Sequence, residues 1–234
     1  MAGNIEVLNN IPFTLDTAAL LSEVHVSQHS EDARDIHALV ETAGRLARPK
    51  AVYKVSYIED RDRDKVCIDG VVFSSRVLSA NLRTVERVFP YVATCGKELD
   101  DLDVAPDDFA RRYWVDTLKG MVLHVSLEFL YDHIKTKYAL GKTATMSPGA
   151  ADQDIWPIEQ QRQLFSLFQN VEDSIGVKLT DSCLMIPNKS VSGILFATEV
   201  NFRSCQVCRR KNCPSRKAPF DKDLMRSYGH TVEE

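Results

Sequence analysis

Three cysteines near the C-terminus have a spacing that suits metal binding. They form a C-x2-C-x4-C pattern at Cys205, Cys208 and Cys213. Two thiolates three residues apart can bind one metal ion from a tight turn, and the third can complete three corners of a tetrahedral zinc site or of an iron–sulfur cluster. The surrounding lysines and arginines would favour thiolates and stabilise an anionic cluster.

A fourth metal ligand is not adjacent in the sequence. The candidates are Cys67, Cys95, Cys183 and His230, or an exogenous ligand on one open iron. The pattern therefore leaves open an iron–sulfur cluster, a structural zinc ion, and free thiols or a redox pair.

Hydroxyl side chains form a second group, within residues 176–193. Apolar residues flank a polar middle there, and Pro-Asn-Lys at residues 187–189 is a turn signal, so the segment is predicted to form two strands with a tight connection. The hydroxyls could line a polar groove or satisfy backbone groups of the turn. They belong to Thr180, Ser182, Ser190 and Ser192.

The same segment reads G-V-K-L-T-D-S-C-L-M-I-P-N-K-S-V-S-G. It resembles the G-x-K-L-T-E-S-x-x-M-x-P-x-x-S-V-S-G run of the reactivation domain of cobalamin-dependent methionine synthase. In that family the domain caps a corrinoid protein and presents S-adenosylmethionine while inactive cob(II)alamin is reduced and methylated. The resemblance therefore implies a corrinoid-servicing protein whose cobalamin is held by a partner.

The resemblance also implies the residues of a ligand or corrinoid groove. Leu-Glu-Phe-Leu at residues 127–130 is similar to the family's A-E-Y-L segment, whose Glu lies in the S-adenosylmethionine groove, and residues 146–151 stand where the family has R-P-A-P-G-Y-P. The groove would comprise Glu128, Pro148, Gly149, Thr180, Ser182, Cys183, Ser190 and Ser192.

Two positions depart from the family at this groove. Thr145 stands where the family has the Arg that holds the carboxylate of S-adenosylmethionine, and Cys183 stands where it has an aromatic residue. A threonine hydroxyl cannot replace a bidentate guanidinium, whose loss costs about 2 kcal/mol or more in a desolvated site. The departures argue against binding of S-adenosylmethionine and favour docking of a corrinoid protein without supply of the methyl donor.

Three functional hypotheses follow. In the first, the protein docks on a corrinoid methyl-transfer protein and supports reactivation of its cobalt, with an iron–sulfur cluster as a possible electron carrier. In the second, it is an S-adenosylmethionine-binding enzyme for reductive methylation of cob(II)alamin. In the third, it is a zinc-stapled interaction module without redox chemistry.

The elements that must position these residues are predicted from hydrophobic periodicity. The chain is helical to about Arg48, with Ser30 starting the second helix, and changes to strands over residues 51–96, with a helix at residues 75–83. An acidic linker containing Pro106 precedes a helix from about Pro106 to Tyr138, and residues 143–154 form a loop before a helix that begins at Pro157. The predicted buried stripe of the long helix comprises Val115, Leu118, Val122, Val125 and Phe129.

We therefore predict an α+β fold with a twisted antiparallel sheet flanked by helices. The predicted segments are an N-terminal helical part (1–48), a core (49–200) and a basic, cysteine-rich tail (201–234).

Composition narrows the class of protein. A chain of 234 residues with 44% hydrophobic and 26% charged residues can bury a sizeable core. The net charge of −4 and a short basic stretch without interleaved aromatic residues argue against a nucleic-acid partner. No apolar run approaches the ~18 residues of a membrane span, and the first residues lack the pattern of a signal peptide, so a cytoplasmic location and no membrane partner are expected.

Overall fold

Strands and helices alternate irregularly along the chain. The computed structural model describes residues 4–102, 104–105 and 107–232. Within these residues, the strands are β1 (Ile5–Leu8), β2 (Lys50–Lys54), β3 (Ser56–Arg61), β4 (Lys65–Ile68), β5 (Val71–Ser74), β6 (Arg87–Thr94), β7 (Thr143–Met146), β8 (Lys178–Leu179), β9 (Met185–Ile186) and β10 (Ser190–Ala197). The helices are α1 (Thr17–Glu23), α2 (Glu31–Leu46), α3 (Arg76–Asn81), α4 (Phe109–Lys137), α5 (Gln161–Ser166), α6 (Val171–Ile175) and α7 (Lys222–Ser227), with 3₁₀ turns at Lys97–Asp101, Ile158–Gln160 and Ser204–Val207. None of the helices in the described ranges is long and apolar enough to span a membrane.

Strand β6 lies at the centre of the main sheet. Along one edge it pairs with β10, from Thr94 opposite Ser190 to Val88 opposite Phe196. Along the other edge it pairs with β2 and then with β3. Strand β1 extends the sheet beyond β2, β7 extends it beyond β10, and β4 and β5 extend it beyond β3. Every pairing is antiparallel, and the predicted α+β class is confirmed.

Both faces of this sheet are covered. One face packs α1, α2 and α4 against residues such as Tyr53 and Phe89, and the other packs α3, α5, α6 and α7 against residues such as Phe73 and Phe196. Simple alternation of buried and exposed residues therefore fails in β2 and β6. Lys54 is only 8% exposed, and its ammonium is neutralised by Asp69 at 2.7 Å.

Short polar side chains begin the helices where the sequence predicts. The Ser30 hydroxyl accepts a hydrogen bond from the Ala33 backbone N–H at the start of α2, as predicted. Ser75 does the same for Leu78 at the start of α3, which confirms the helix expected at residues 75–83. Asp108 caps α4 by accepting from the Arg111 N–H.

Two predictions of local structure are wrong because the strands concerned are short and are stabilised by distant partners. Residues Ile5–Leu8, predicted as helical, form β1 against β2. Residues Thr143–Met146, predicted as part of a loop, form β7 against β10, with Ala144 and Met146 buried. A four-residue strand carries little periodicity of its own, and the pairing strand lies far away in sequence.

The long helix α4 is confirmed, but its buried stripe differs in part from the prediction. Val115, Leu118 and Val122 are buried as expected, whereas Val125 and Phe129 are only half-buried. The stripe continues instead through Ser126, Leu130 and Ile134, which keeps it facing the sheet over the full length of the helix. The predicted start at Pro106 lies outside the described residues.

Candidate functional site

Strands β8 and β9 form a small hairpin whose loop is shaped by its own hydroxyls. Lys178 pairs with Ile186 and Leu179 with Met185. The Thr180 hydroxyl accepts a hydrogen bond from the Leu184 N–H at 3.0 Å and lies 3.0 Å from the Ser182 hydroxyl. The predicted strand pair is confirmed, but the polar middle of the motif closes the hairpin, and residues 187–189 lead into β10.

A pocket of about 380 Å³ opens beside this hairpin. Its lining includes three of the predicted groove residues, Thr180, Ser182 and Cys183. Leu184 and Ile186 also line it, and their side chains are exposed to 59% and 52%. The motif thus presents an apolar rim around a few polar groups, which is the usual composition of a ligand or partner site.

The other two hydroxyls of the motif point into the protein. The buried Ser190 hydroxyl donates to the Pro187 carbonyl at 2.8 Å and lies 3.0 Å from the Thr94 hydroxyl. The buried Ser192 hydroxyl donates to the Gln161 side-chain oxygen at 3.2 Å. Gln161 lines the pocket, so Ser192 is placed behind the pocket wall.

Gly149 lies next to the same pocket through Ile158. Pro148 is buried, and Gly149 has a φ of +74°, a conformation that glycine adopts without strain. A Cβ at Gly149 would lie 3.0 Å from the Ile158 side chain, which itself lines the pocket. Gly149 therefore lies against one residue of the pocket lining, but neither Pro148 nor Gly149 belongs to the lining itself.

Glu128 is separate from this group. Its carboxylate lies on an exposed face of α4, 3.3 Å from the His124 Nε2 one turn earlier, and it does not line the pocket. Glu128 is therefore not brought together with the hairpin residues.

A cluster of hydroxyls near Glu128 was missed by the sequence analysis. The Tyr91 and Tyr131 hydroxyls are 2.7 Å apart, with Tyr131 one turn after Glu128 on α4. The hydroxyls of Thr145 and Ser147 also lie close to the Tyr91 hydroxyl. Thr145, at the position where the related family has its Arg, is therefore part of a neutral hydroxyl cluster.

The cluster carries no charge. Burial raises the pKa of both Tyr91 and Tyr131, so their hydroxyls stay protonated at neutral pH. Such a group can exchange hydrogen bonds with carbonyl, amide or hydroxyl groups, but it offers no cation to a carboxylate.

One sequence feature could have revealed the cluster. Gly193 interrupts the apolar strand β10, and a glycine within a strand often marks a close approach of neighbouring groups. A Cβ there would lie 2.6 Å from the Ser147 hydroxyl and 2.8 Å from the Tyr91 hydroxyl. The glycine therefore makes room for these two hydroxyls.

The loop with the three C-terminal cysteines is organised by an arginine. The Arg216 guanidinium donates hydrogen bonds to the carbonyls of Cys205 at 2.9 Å and Cys208 at 3.1 Å, and also to the Arg210 and Ala218 carbonyls. Among the described residues, no group of three or more His, Cys, Asp or Glu side chains is placed to hold one metal ion. Cys205, Cys208 and Cys213 as folded do not fit the predicted iron–sulfur or zinc site.

The proposed fourth ligands each have local partners of their own. Cys67 lies against Glu59, Cys95 donates weakly to the Gly96 carbonyl, and Cys183 lies 3.9 Å from the Glu159 carbonyl. Burial raises the pKa of Cys95 to about 12, which disfavours its thiolate. The His230 Nδ1 lies 3.3 Å from an Asp154 carboxylate oxygen.

Comparisons with known proteins identify a relationship. Residues 131–213 match the model of the family described as "Vitamin B12 dependent methionine synthase, activation domain". Among solved structures, the chain is similar to the crystal structure of the MetH reactivation domain bound to AdoHcy, with a TM-score of 0.55 and 15% identity over 86% of this chain and 80% of that chain. The search of curated proteins gave no match.

These comparisons confirm the resemblance predicted from residues 176–193, and the structural match confirms the fold. The matched range, about a third of the chain, contains β7, the hairpin, β10 and the three C-terminal cysteines, whereas Glu128 lies just before it.

Proposed function

We propose that this protein docks on a separate corrinoid methyl-transfer protein and supports reactivation of its cobalt. The observation that carries the proposal is the position of the activation-domain motif, which forms a pocket rimmed by the exposed Leu184 and Ile186. The match of residues 131–213 to the activation-domain family supports a cobalamin-related role for this pocket.

The pocket chemistry suits a corrinoid surface. A corrin ring presents an apolar plane edged by carboxamide groups. Leu184 and Ile186 offer apolar contacts, while Asn188 and Gln161 in the same lining can donate to and accept from amides. The role of this chain is then to bind and orient the cofactor-bearing face of the partner.

The chemistry of reactivation defines what else must be present. Conversion of cob(II)alamin to methylcobalamin takes one electron, which gives cob(I)alamin, and then a methyl cation. As the three C-terminal cysteines do not gather around one metal ion, we assign the electron to a separate reductant. Iron, acid-labile sulfide and zinc analysis of protein purified without oxygen tests this part, and stoichiometric iron and sulfide would overturn it.

Binding measurements test the docking role. Corrinoid proteins from the same organism, loaded with methylcobalamin or cob(II)alamin, would be immobilised and titrated with this chain. We expect saturable binding to at least one of them and a loss of at least tenfold in affinity for Leu184→Asp, since an exposed anchor is replaced by a charge. The matched control is Val72→Asp, which changes a side chain that is 50% exposed on β5, away from the pocket. Absence of binding to every corrinoid protein tested would overturn the proposal.

A second candidate function is the binding of S-adenosylmethionine, favoured by the structural relative that holds AdoHcy. The neutral cluster of Tyr91, Tyr131, Thr145 and Ser147 offers no guanidinium to the ligand carboxylate. We therefore infer that S-adenosylmethionine binds weakly or not at all. Titration calorimetry decides this, and a dissociation constant in the micromolar range would favour the enzyme hypothesis instead.

A further inference from the structure

The tail carries a concentration of positive charge that the corrinoid proposal does not use. Residues 201–232 contain eight lysines and arginines and two aspartates, a net charge of +6 in a protein whose total is −4. The rest of the chain is correspondingly acidic. A local field of this kind attracts anions to the part of the surface where the cations converge.

Five of these cations line one pocket of about 890 Å³. Phe220, Thr231 and Val232 complete its lining, and none of the described residues that line it carries a carboxylate. The volume falls in the range of small-molecule sites, and the wall combines charge with one aromatic and one aliphatic side chain. The cationic lining residues are Arg209, Arg210, Lys211, Arg216 and Lys222.

Two of the cations hold the pocket in shape. Arg216 binds backbone carbonyls of the cysteine loop, and Arg209 binds both carboxylate oxygens of Asp154 at 2.9 and 3.0 Å. Arg209 also donates its backbone N–H to Asp152 at 2.8 Å. Arg209 and Arg216 therefore fix this wall of the pocket before a ligand binds.

The other three cations have no carboxylate partner within the described ranges. Arg210, Lys211 and Lys222 make no ion pair there. The aspartates of the tail are engaged elsewhere, because Asp221 caps α7 by accepting from the Leu224 N–H and Asp223 pairs with Arg226 at 3.0 Å. Among the described residues, Arg216 also lacks a carboxylate partner, but its guanidinium is committed to backbone carbonyls, so three cations remain available to a ligand on one concave surface.

A second arginine-rich pocket provides a contrast. It has a volume of about 570 Å³ and includes Asp62 in its lining. Three of its five arginines are neutralised, by Glu86, Asp64 and Asp223. The uncompensated charge is therefore concentrated in the pocket beside Phe220.

We propose that the pocket beside Phe220 binds the diphosphate group of a small molecule. Two adjacent phosphates carry enough negative charge and enough acceptor oxygens to engage Arg210, Lys211 and Lys222 together, whereas a single phosphate engages fewer of them. Phe220 and Val232 give an apolar surface for the remainder of such a molecule. This site is separate from the hairpin pocket and does not depend on the corrinoid proposal.

Calorimetry on the full chain at low ionic strength tests the site with inorganic pyrophosphate, inorganic phosphate and ADP. We expect pyrophosphate and ADP to bind at one site, at least about tenfold more tightly than phosphate. The double variant Lys211→Gln/Lys222→Gln should weaken pyrophosphate binding about tenfold or more, and because both side chains are exposed the variant should keep its thermal midpoint. The matched control is Arg63→Gln/Arg83→Gln, which removes two charges from the second pocket.

Three results would overturn the proposal. The first is no pyrophosphate binding at millimolar concentration. The second is an equal loss in Lys211→Gln/Lys222→Gln and in Arg63→Gln/Arg83→Gln, which would indicate nonspecific attraction to the basic surface. The third is tighter binding of an aspartate octapeptide than of pyrophosphate and ADP, which would assign the surface to an acidic protein partner.

Discussion

Arg209 and Asp154 form a two-point ion pair, with guanidinium–carboxylate distances of 2.9 and 3.0 Å, that ties the C-terminal tail to the segment following Gly149. The pair gives the tail a fixed position on the same side of the sheet as the hairpin pocket. Changes at either residue should therefore affect stability in a pH-dependent way.

The first prediction concerns Asp154→Asn. The hydrogen bonds from Arg209 hold the pKa of Asp154 below its usual range. The ionised carboxylate therefore stabilises the folded state above about pH 4, and this contribution is lost as the pH falls below that value. We expect the variant to lose about 1 kcal/mol or less at pH 7, because the pair is partly solvated, and a smaller amount at pH 3.

Urea unfolding at pH 7 and pH 3 measures this effect. The control is Asp223→Asn, whose ion pair with Arg226 has a carboxylate side chain that is 93% exposed. An Asp154→Asn effect that is the same at both pH values would show that the charge interaction with Arg209 is not responsible.

The second prediction concerns the cysteine loop. Arg216→Gln removes several hydrogen bonds to backbone carbonyls, including those of Cys205 and Cys208, and should destabilise the protein by about 2 kcal/mol. Replacement of Cys205, Cys208 and Cys213 by serine should change stability by less than about 1 kcal/mol, since these side chains are only partly buried. Thermal unfolding of both variants checks the order, and a reversed order would indicate that the thiols organise the loop.

The third prediction concerns Gly193→Ala. The new methyl group would lie 2.6 Å from the Ser147 hydroxyl and 2.7 Å from the Met146 carbonyl, so β7 would have to move away from β10. We expect a loss of about 1–3 kcal/mol in the free energy of unfolding.

Gly120→Ala is the matched control for this change. Gly120 lies within α4 with open space around its Cβ position, so alanine there should be neutral or should stabilise the protein by up to about 1 kcal/mol. Equal effects of the two substitutions in denaturant titrations would contradict the crowding argument.

The fourth prediction concerns Tyr131→Phe. The change removes the hydrogen bond to the Tyr91 hydroxyl in a buried site and should cost about 1–2 kcal/mol. Tyr57→Phe serves for comparison, because the Tyr57 side chain is 51% exposed. If Tyr131→Phe is as mild as the control, the hydroxyl cluster does not contribute to stability.

The sequence predicts structure best where residues close together in the chain determine it. Ser30 and Ser75 begin helices because their hydroxyls satisfy N–H groups three residues later, and both starts were predicted. The motif at residues 176–193 was recognised because its spacing is distinctive. The hydroxyl cluster of Tyr91 and Tyr131 could not be predicted, because these residues meet only after β6, β7 and α4 have packed.

The metal site predicted at the three C-terminal cysteines depends on contacts that the sequence does not show. The spacing of Cys205, Cys208 and Cys213 allows a metal site, but spacing does not fix the direction of the thiols. The loop is held by hydrogen bonds from Arg216, three residues beyond Cys213. In the sequence, Arg216 is only one of several basic residues near the cysteines.

The central position of β6 has a consequence for dynamics. Its backbone amides are held by β10 on one side and by β2 and β3 on the other, so they can exchange hydrogen with solvent only when the sheet comes apart. Ser190 and Ser192 lie on the strand paired along its full length. The amides of β6 opposite Ser190 and Ser192 should therefore exchange as slowly as the slowest amides of the protein, while the amides of the loop that carries Leu184 should exchange faster.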